Sequence, residues 1–317
     1  MDASSDLDHR AVLAALGKAR VAELAALSNG PGLTRLAIHL GMLGLTGWAV
    51  LAAEGLWRLP LQVAHGVVLV FLFTALHESI HRTAFRSPWL NDLVAAVTGF
   101  TYFQPPLGFR YFHFAHHRYT QDPERDPELG VPKPKTRQQY VIYLSGWYYW
   151  TGQPRSLVKT ALGRNLPDYV PPRARDRVIR EARIYLALYS GVAIASVAAG
   201  STIALTLWLV PAVLGQPFMR AYLLAEHTGC PLVPDMLDNT RTTFCHRAIR
   251  WLAWEMPWHT AHHAAPTVPF HRLAEMTHEI EDALKRTADG YFAAQNQILS
   301  AIDAKDQSIM DAAPPAP

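Results

Sequence analysis

Four apolar runs constrain this chain more than any other feature of its sequence. They lie at residues 33–53, 61–81, 184–199 and 202–224. About 20 apolar residues are needed for a helix to cross a bilayer, and inside lipid only helices and closed barrels satisfy their own backbone groups. Charged residues make up 17% of the 317 positions, against about a quarter in ordinary soluble proteins. We therefore expect an all-α integral membrane protein with four transmembrane helices.

The segments between these runs predict the rest of a single domain over residues 1–317. Residues 1–32 have leucines at helical spacing, which indicates an amphipathic helix that either packs on the protein or lies on the membrane surface. An acidic start without a long apolar core argues against a cleaved signal peptide. We expect residues 82–183 and 225–303 to form a helical cap, and the Ala/Pro-rich tail, 304–317, to be disordered.

Eight of the fifteen histidines fall into three clusters, which we call boxes 1, 2 and 3. Box 1 is HESIH, box 2 is HFAHH and box 3 is HTAHH, and their histidines are His77, His81, His113, His116, His117, His259, His262 and His263. Residues three and four apart share a helix face, whereas adjacent residues diverge by about 100°. One ring of each adjacent pair can therefore serve one metal while its neighbour serves a second. This pattern predicts a histidine-rich dimetal site.

Box 1 taken alone supports a different hypothesis. HESIH is an HExxH sequence, the zinc-protease pattern in which Glu78 would be the general base. Catalytic zinc takes only three protein ligands, so an intramembrane zinc protease would leave the other clustered histidines without a role. A membrane protein that only binds metal is a second alternative.

Charge and cysteine content indicate the partners and the cellular environment of the protein. The net charge is +3, and the basic residues form no continuous arm, so we expect no nucleic-acid partner. The polar segment 82–183 is rich in arginine, including a run from Arg173 to Arg183, whereas the short turns near Glu54 and Gly200 carry almost no basic charge. Positive charge marks the cytoplasmic side, which predicts that both termini and all three boxes are cytoplasmic. Cys230 and Cys245 fit no metal or disulfide framework, so reduced thiols are expected.

Two further segments leave alternatives open. The aromatic cluster from Trp147 to Trp150 is typical of a membrane-interface belt, and a substrate channel is the alternative. In NTRTTF, Arg241 can bind an anionic head group or form a structural ion pair.

The set of three boxes, with box 1 after the second apolar run, box 2 in the following polar segment and box 3 after the fourth run, resembles the membrane-bound fatty acid desaturase and hydroxylase superfamily. The resemblance covers roughly residues 33–270. It implies a non-haem diiron centre, with dioxygen as co-substrate and electrons from an external donor. The donor would be a ferredoxin, a cytochrome b5 or a reductase, because no fused donor domain is recognisable. The substrate would be a lipid or acyl chain.

The same resemblance implies additional site residues. Superfamily members often carry a further histidine between the last span and box 3, and His227 occupies that place, with His246 as its rival. Glu226, Asp122 and Asp126 resemble the acidic companions that orient ligand histidines. The resemblance leaves two outcomes of the reaction open, a double bond or an alcohol, and we expect desaturation, with hydroxylation as the alternative. NTRTTF also resembles a pattern in bacterial members, so we expect the bacterial inner membrane.

Overall fold

The structure is a computed structural model that describes residues 7–164 and 166–304. The first six residues and nearly all of the tail expected to be disordered, 305–317, lie outside the described residues. In the described part the chain is mostly helical. Its α-helices are α1 His9–Leu16, α2 Lys18–Leu24, α3 Gly30–Ala52, α4 Arg58–Val70, α5 Leu72–His81, α6 Pro88–Thr101, α7 Pro106–Tyr119, α8 Arg137–Leu144, α9 Trp147–Ala161, α10 Pro172–Ala198, α11 Val210–His227, α12 Met236–Asn239, α13 Arg247–Leu252, α14 His259–Ala264, α15 Leu273–Glu279 and α16 Tyr291–Asp303.

The expectation of an all-α chain needs a correction. Two short strands, β1 Thr242–Phe244 and β2 Thr287–Asp289, pair in parallel, with Thr242 opposite Thr287. Three residues each are too few to show a period-two pattern in a sequence, so no strand was predicted. The N-terminal segment also differs from expectation, because Gly17 separates α1 from α2 with a positive φ of 81°.

Three helical segments are long and apolar enough to cross a membrane. They are Gly30–Ala52, Gly55–His81 and Leu205–His227. The second comprises a short 3₁₀ turn, α4 and α5, and the third comprises a π-helical turn followed by α11. The run expected to span at 184–199 is the C-terminal part of α10, a continuous helix of 27 residues whose first half is highly charged. Helix α10 is not among the three segments that are long and apolar enough to cross a membrane.

Helices α4 and α11 pack closely through glycine. A Cβ at Gly215 would lie 2.3 Å from the carbonyl oxygen of Gly66, and one at Gly66 would lie 2.1 Å from that of Pro211. Gly66 lies eleven residues before His77, and Gly215 lies twelve residues before His227. The two helices therefore run parallel, so that α5, which follows α4 directly, and α11 bring box 1 and His227 to the same end.

The cap closes over that end of the helices. Its core contains Trp254, Phe270, Leu273 and Met276, all fully buried. The indole of Trp254 donates to His39 of α3 at 3.3 Å, which connects the cap to the first long helix. Short turns and helices in the cap place box 2 on α7 and box 3 on α14, facing the ends of α5 and α11.

Candidate metal centre

The histidines of the three boxes converge, although 186 positions separate the first from the last. Five imidazoles have ligand atoms that all lie within 4.8 Å of one another, and we call them group A: His77, His81, His113, His117 and His262. Three others meet the same condition and form group B: His116, His227 and His263. His259 adjoins group B, with its Nε2 3.1 Å from Nε2 of His227.

Adjacent histidines divide between the two groups. His117 belongs to group A and His116 to group B, and His262 and His263 divide in the same way. The division follows from helix geometry, because side chains at neighbouring positions point about 100° apart. The rings of His117 and His263 stack at 4.1 Å, so the two groups are neighbours.

Ring nitrogens approach one another at the distances expected between two ligands of the same metal ion. Nε2 of His117 lies 2.9 Å from Nε2 of His113 and 3.1 Å from that of His262. In group B the corresponding distance from His116 to His227 is 3.2 Å. Two nitrogens bound at right angles to one ion at about 2.1 Å would lie about 3 Å apart.

Unsatisfied nitrogens support the same interpretation. Buried Nε2 atoms with no hydrogen-bond partner occur in both groups, on His81 in group A and on His263 in group B. Buried polar atoms are nearly always bonded, so these two nitrogens need an explanation. One metal ion in each group would satisfy them, and the donor set therefore fits two ions that prefer imidazole.

The imidazoles of group B are oriented by polar groups on their outer nitrogens. Nδ1 of His116 lies 3.0 and 3.1 Å from the carboxylate oxygens of Asp126. Nδ1 of His227 lies 3.1 Å from the carbonyl oxygen of Asn239, and that of His263 lies 3.2 Å from Oγ1 of Thr120. These contacts fix the rings and leave Nε2 to face the centre of the group. Asn239 and Thr120 were not identified from the sequence, because polar residues of this kind have no distinctive spacing.

The acidic companions expected from the sequence differ in their placement. Asp126 is buried against His116, as expected of an orienting residue. A carboxylate oxygen of Glu226 lies 3.5 Å from Nδ1 of His259, and this nitrogen has no hydrogen-bond partner. Asp122 instead accepts hydrogen bonds from the backbone and guanidinium of Arg125 at the surface. Its carboxylate stabilises a turn, and among the described residues it contacts no box histidine.

The two candidates for the extra histidine also lie in different places. His227 lies in group B at the end of α11. His246 is exposed, and its Nδ1 accepts from the backbone of Ala248 at the start of α13. Arg241, considered for head-group binding, is buried and donates to the carbonyl oxygens of Ala225 and Thr228. It therefore stabilises the C-terminal end of α11, where the helix dipole favours positive charge.

The protease hypothesis finds little support in the position of Glu78. The side chain is fully buried, and its Oε2 accepts a 2.7 Å hydrogen bond from Oγ1 of Thr83. Its partner is therefore a structural threonine that follows the helix, outside both histidine groups. A general base must instead reach the reacting water or substrate.

A carboxylate that the sequence did not single out lies at the inner side of group B. Oε2 of Glu128 is 3.4 Å from Nε2 of His116, and its Oε1 accepts a 2.7 Å hydrogen bond from Lys133. Burial alone lowers the pKa of His116, but the carboxylates of Glu128 and Asp126 outweigh it and hold that pKa above its usual value. This part of the site therefore favours positive charge. The TQDPERDPE segment has four acidic residues, and its spacing does not show which ones turn inward.

The remaining box histidines of the cap favour the neutral form. Burial lowers the pKa of these side chains well below its usual value, and neighbouring imidazoles lower it further; they are His113, His117, His259, His262 and His263. Neutral imidazole is the form that binds a metal ion. Burial and crowding thus prepare these side chains as ligands.

A cavity of about 670 Å³ opens beside the histidines. At its inner end it is lined by His77, His113, His116 and His259. Phe73, Phe109, Phe112 and Met256 provide apolar walls there. Farther out, the cavity reaches α9, where Tyr148 and Tyr149 line it while Trp147 is exposed. The aromatic cluster thus contributes both to the cavity and to the surface.

Comparison with known proteins identifies a matching family and several individual relatives. The sequence model of the fatty acid desaturase family matches residues 55–295. An sn-1 oleoyl-lipid 12-desaturase of Anabaena variabilis is 24% identical over 76% of this chain and 73% of its own length. A Delta(9) fatty acid conjugase-like enzyme of Dimorphotheca sinuata is 24% identical over 72% and 68%, and a dihydrorhizobitoxine desaturase of Bradyrhizobium elkanii is 25% identical over 68% and 65%.

Proposed function

Because this chain belongs to the fatty acid desaturase family, we propose that it is a dioxygen-dependent desaturase that uses a histidine-bound pair of irons. The observation that carries the proposal is the division of adjacent histidines between two groups, each able to hold one ion. When bound, two irons supply the oxidation of an unactivated C–H bond with dioxygen and external electrons. The proposed ligands are His77, His81, His113, His117 and His262 for one ion and His116, His227, His259 and His263 for the other.

The residues of the chain would bind and orient the substrate. The cavity is large enough for a drug-sized molecule, and Phe73, Phe109 and Met256 give it apolar walls. We propose an acyl or similarly apolar chain that lies between Phe73, Phe109 and Met256, so that two neighbouring carbons face the metal pair. The close-packed aromatic side chains would exclude water from those carbons.

The position of the histidines also supports a four-span topology. The segments Gly55–His81 and Leu205–His227 both end at the metal centre, so both would cross the membrane in the same direction. The chain must then cross back once between them. Helix α10 has 27 residues, which span about 40 Å, and exposes Ile184, Leu188 and Val197. We propose that it is the returning span.

The distribution of basic residues indicates on which side of the membrane the metal centre lies. Arginines near the metal centre outnumber those in the short turns, which favours a cytoplasmic site and cytoplasmic termini in a bacterial inner membrane. The electron donor would then be a cytoplasmic or membrane-associated ferredoxin, cytochrome b5 or reductase.

Product analysis tests the proposal. Lipid profiling of cells with and without the protein should reveal the substrate, and purified protein with an electron donor and isotopically labelled dioxygen should give a product lighter by two hydrogens. A product that gains one labelled oxygen would establish hydroxylation instead. His81→Ala, His117→Ala or His263→Ala should each abolish turnover in protein that still inserts. Failure to consume oxygen with any donor would favour a protein that only binds metal.

A further inference from the structure

A partly buried arginine, Arg220, lies in the wall of the cavity. Nη2 of Arg220 donates a 2.6 Å hydrogen bond to the hydroxyl of Tyr102, and the guanidinium carbon lies 5.0 Å from the centre of the Tyr149 ring. Its Nε is buried and has no partner. Among the described residues, no carboxylate lies within 4.0 Å of this guanidinium. Five N–H groups are available on an arginine, so most of its binding capacity is unused.

An arginine in this position needs an explanation. Arg220 belongs to α11, within a segment that can span the membrane, and a charge there is costly unless it is paired. The buried Arg35 of α3 shows the usual solution, because Glu255 pairs with it at 3.1 Å. Lys133, a second partly buried cation in the wall of the cavity, is paired with Glu128. Arg220 lacks such a counter-ion.

The surroundings of Arg220 form a polar niche in a largely aromatic wall. The hydroxyl of Tyr102 accepts the hydrogen bond from Arg220 and keeps its own proton to donate to a further acceptor. A guanidinium beside a phenol hydroxyl offers several donors to one ligand, which is typical of a site that binds a carboxylate.

The niche lies at a defined distance from the metal centre. Arg220, Leu223 and Glu226 form one stripe of α11 along the cavity, and His227 follows. Seven residues separate Arg220 from His227, which is about two turns and about 10 Å along the helix. Glu226 does not fill the niche, because its carboxylate lies 3.5 Å from Nδ1 of His259 and forms no ion pair with Arg220.

We propose that Arg220 binds the carboxylate of an unesterified acid, so that the substrate is a free acid whose reacting carbons lie within about 10 Å of the carboxylate. This proposal rests on the proposed function and specifies its substrate class. An ester or amide of the same acid would fill the cavity but leave the charge of Arg220 unpaired. Hydrogen bonds between charged groups are strong enough for at least about tenfold discrimination.

Binding of a matched pair of probes tests the proposal without turnover. Octanoate and octanamide have the same chain and differ in charge. We expect the full-length metal-loaded protein in lipid nanodiscs to bind octanoate at least about tenfold more tightly than octanamide, after subtraction of binding to empty nanodiscs. Arg220→Gln should remove this preference with unchanged metal content. Arg155→Gln, which removes an exposed charge farther out in the cavity, should retain it.

Three outcomes would overturn the proposal. They are equal binding of both probes by the wild type, a preference that survives in Arg220→Gln, and an equal loss in Arg220→Gln and Arg155→Gln. Survival in Arg220→Gln would mean that the carboxylate binds the metal ions directly. If Arg220→Gln fails to insert, Arg220→Met provides a second neutral variant. Absence of desaturation together with an intact octanoate preference would contradict the proposed function and leave this site standing.

Discussion

At the scale of single residues, spacing predicts which side chains bind metal better than which ones orient them. The divergence of adjacent histidines in boxes 2 and 3 is a property of the helix, so their division between two groups was predictable from the sequence. Asp122 and Asp126 are four residues apart and look equivalent there. Only the local turn, with Arg125 held by Asp122, decides that Asp126 faces His116.

This difference gives a matched pair of variants. Asp126→Asn should lower iron affinity or activity by about 10 to 100-fold, because an amide no longer holds the Nδ1 proton of His116 with a full charge. Asp122→Asn removes the same charge four residues away and should leave the iron content unchanged. Metal analysis of both purified variants measures the effect. Full iron occupancy and activity in Asp126→Asn would show that the carboxylate only stabilises the loop.

The extra histidine provides a second residue-scale prediction. His227→Ala removes a ligand from group B and should reduce the metal content towards one ion per chain while group A stays filled. His246→Ala removes only a helix cap and should keep the full metal content, at a stability cost of about 1 kcal/mol. The reverse pattern in metal analysis would assign the ligand to His246.

At the scale of elements, long apolar runs could be predicted from the sequence. Short segments, and segments that mix charged and apolar parts, could not. The helices that contain residues 33–53 and 61–81 follow directly from composition. Helix α10 begins at Pro172, in a charged segment, and continues into the apolar run, so its start could not be read from hydropathy. Strands β1 and β2 pair residues that lie 45 positions apart, and no local pattern reports such a pairing.

Close packing of α4 and α11 leads to an element-scale prediction. Gly215→Ala would place a methyl group 2.3 Å from the carbonyl oxygen of Gly66, so the helices must separate, at a cost of about 1–3 kcal/mol. We expect a lower thermal midpoint and a lower metal content, since α4 leads directly into the helix with box 1 and α11 carries His227. Gly44→Ala, on the open side of α3, has no atom within 4 Å of the new methyl and should be neutral or stabilising. Equal midpoints for the two variants would refute the role of this contact.

At the scale of the whole molecule, the sequence predicted that the second and fourth apolar runs end on the same side of the membrane at one site, but not how the helices that lead to that site pack. That arrangement depends on contacts between segments more than 140 positions apart, such as Gly66 with Gly215. The niche around Arg220 was likewise invisible, because it joins α11 to Tyr102, which directly follows α6.

The four-span topology can be tested by labelling in intact cells. In a variant with Cys230→Ser and Cys245→Ser, single cysteines are introduced at Glu54, Glu124 and Thr202, all exposed positions. An impermeant thiol reagent should label the cysteines at Glu54 and Thr202 and should not reach the one at Glu124, because basic flanks keep the cap in the cytoplasm. Protection at Thr202 together with labelling at Glu54 would mean that α10 does not cross the membrane.

The metal-to-protein ratio tests the central claim most directly. Protein produced with adequate iron and purified without chelators should contain about two irons per chain, because nine converging imidazoles form two coordination sites. A fully active protein with one zinc ion and no iron would contradict the account.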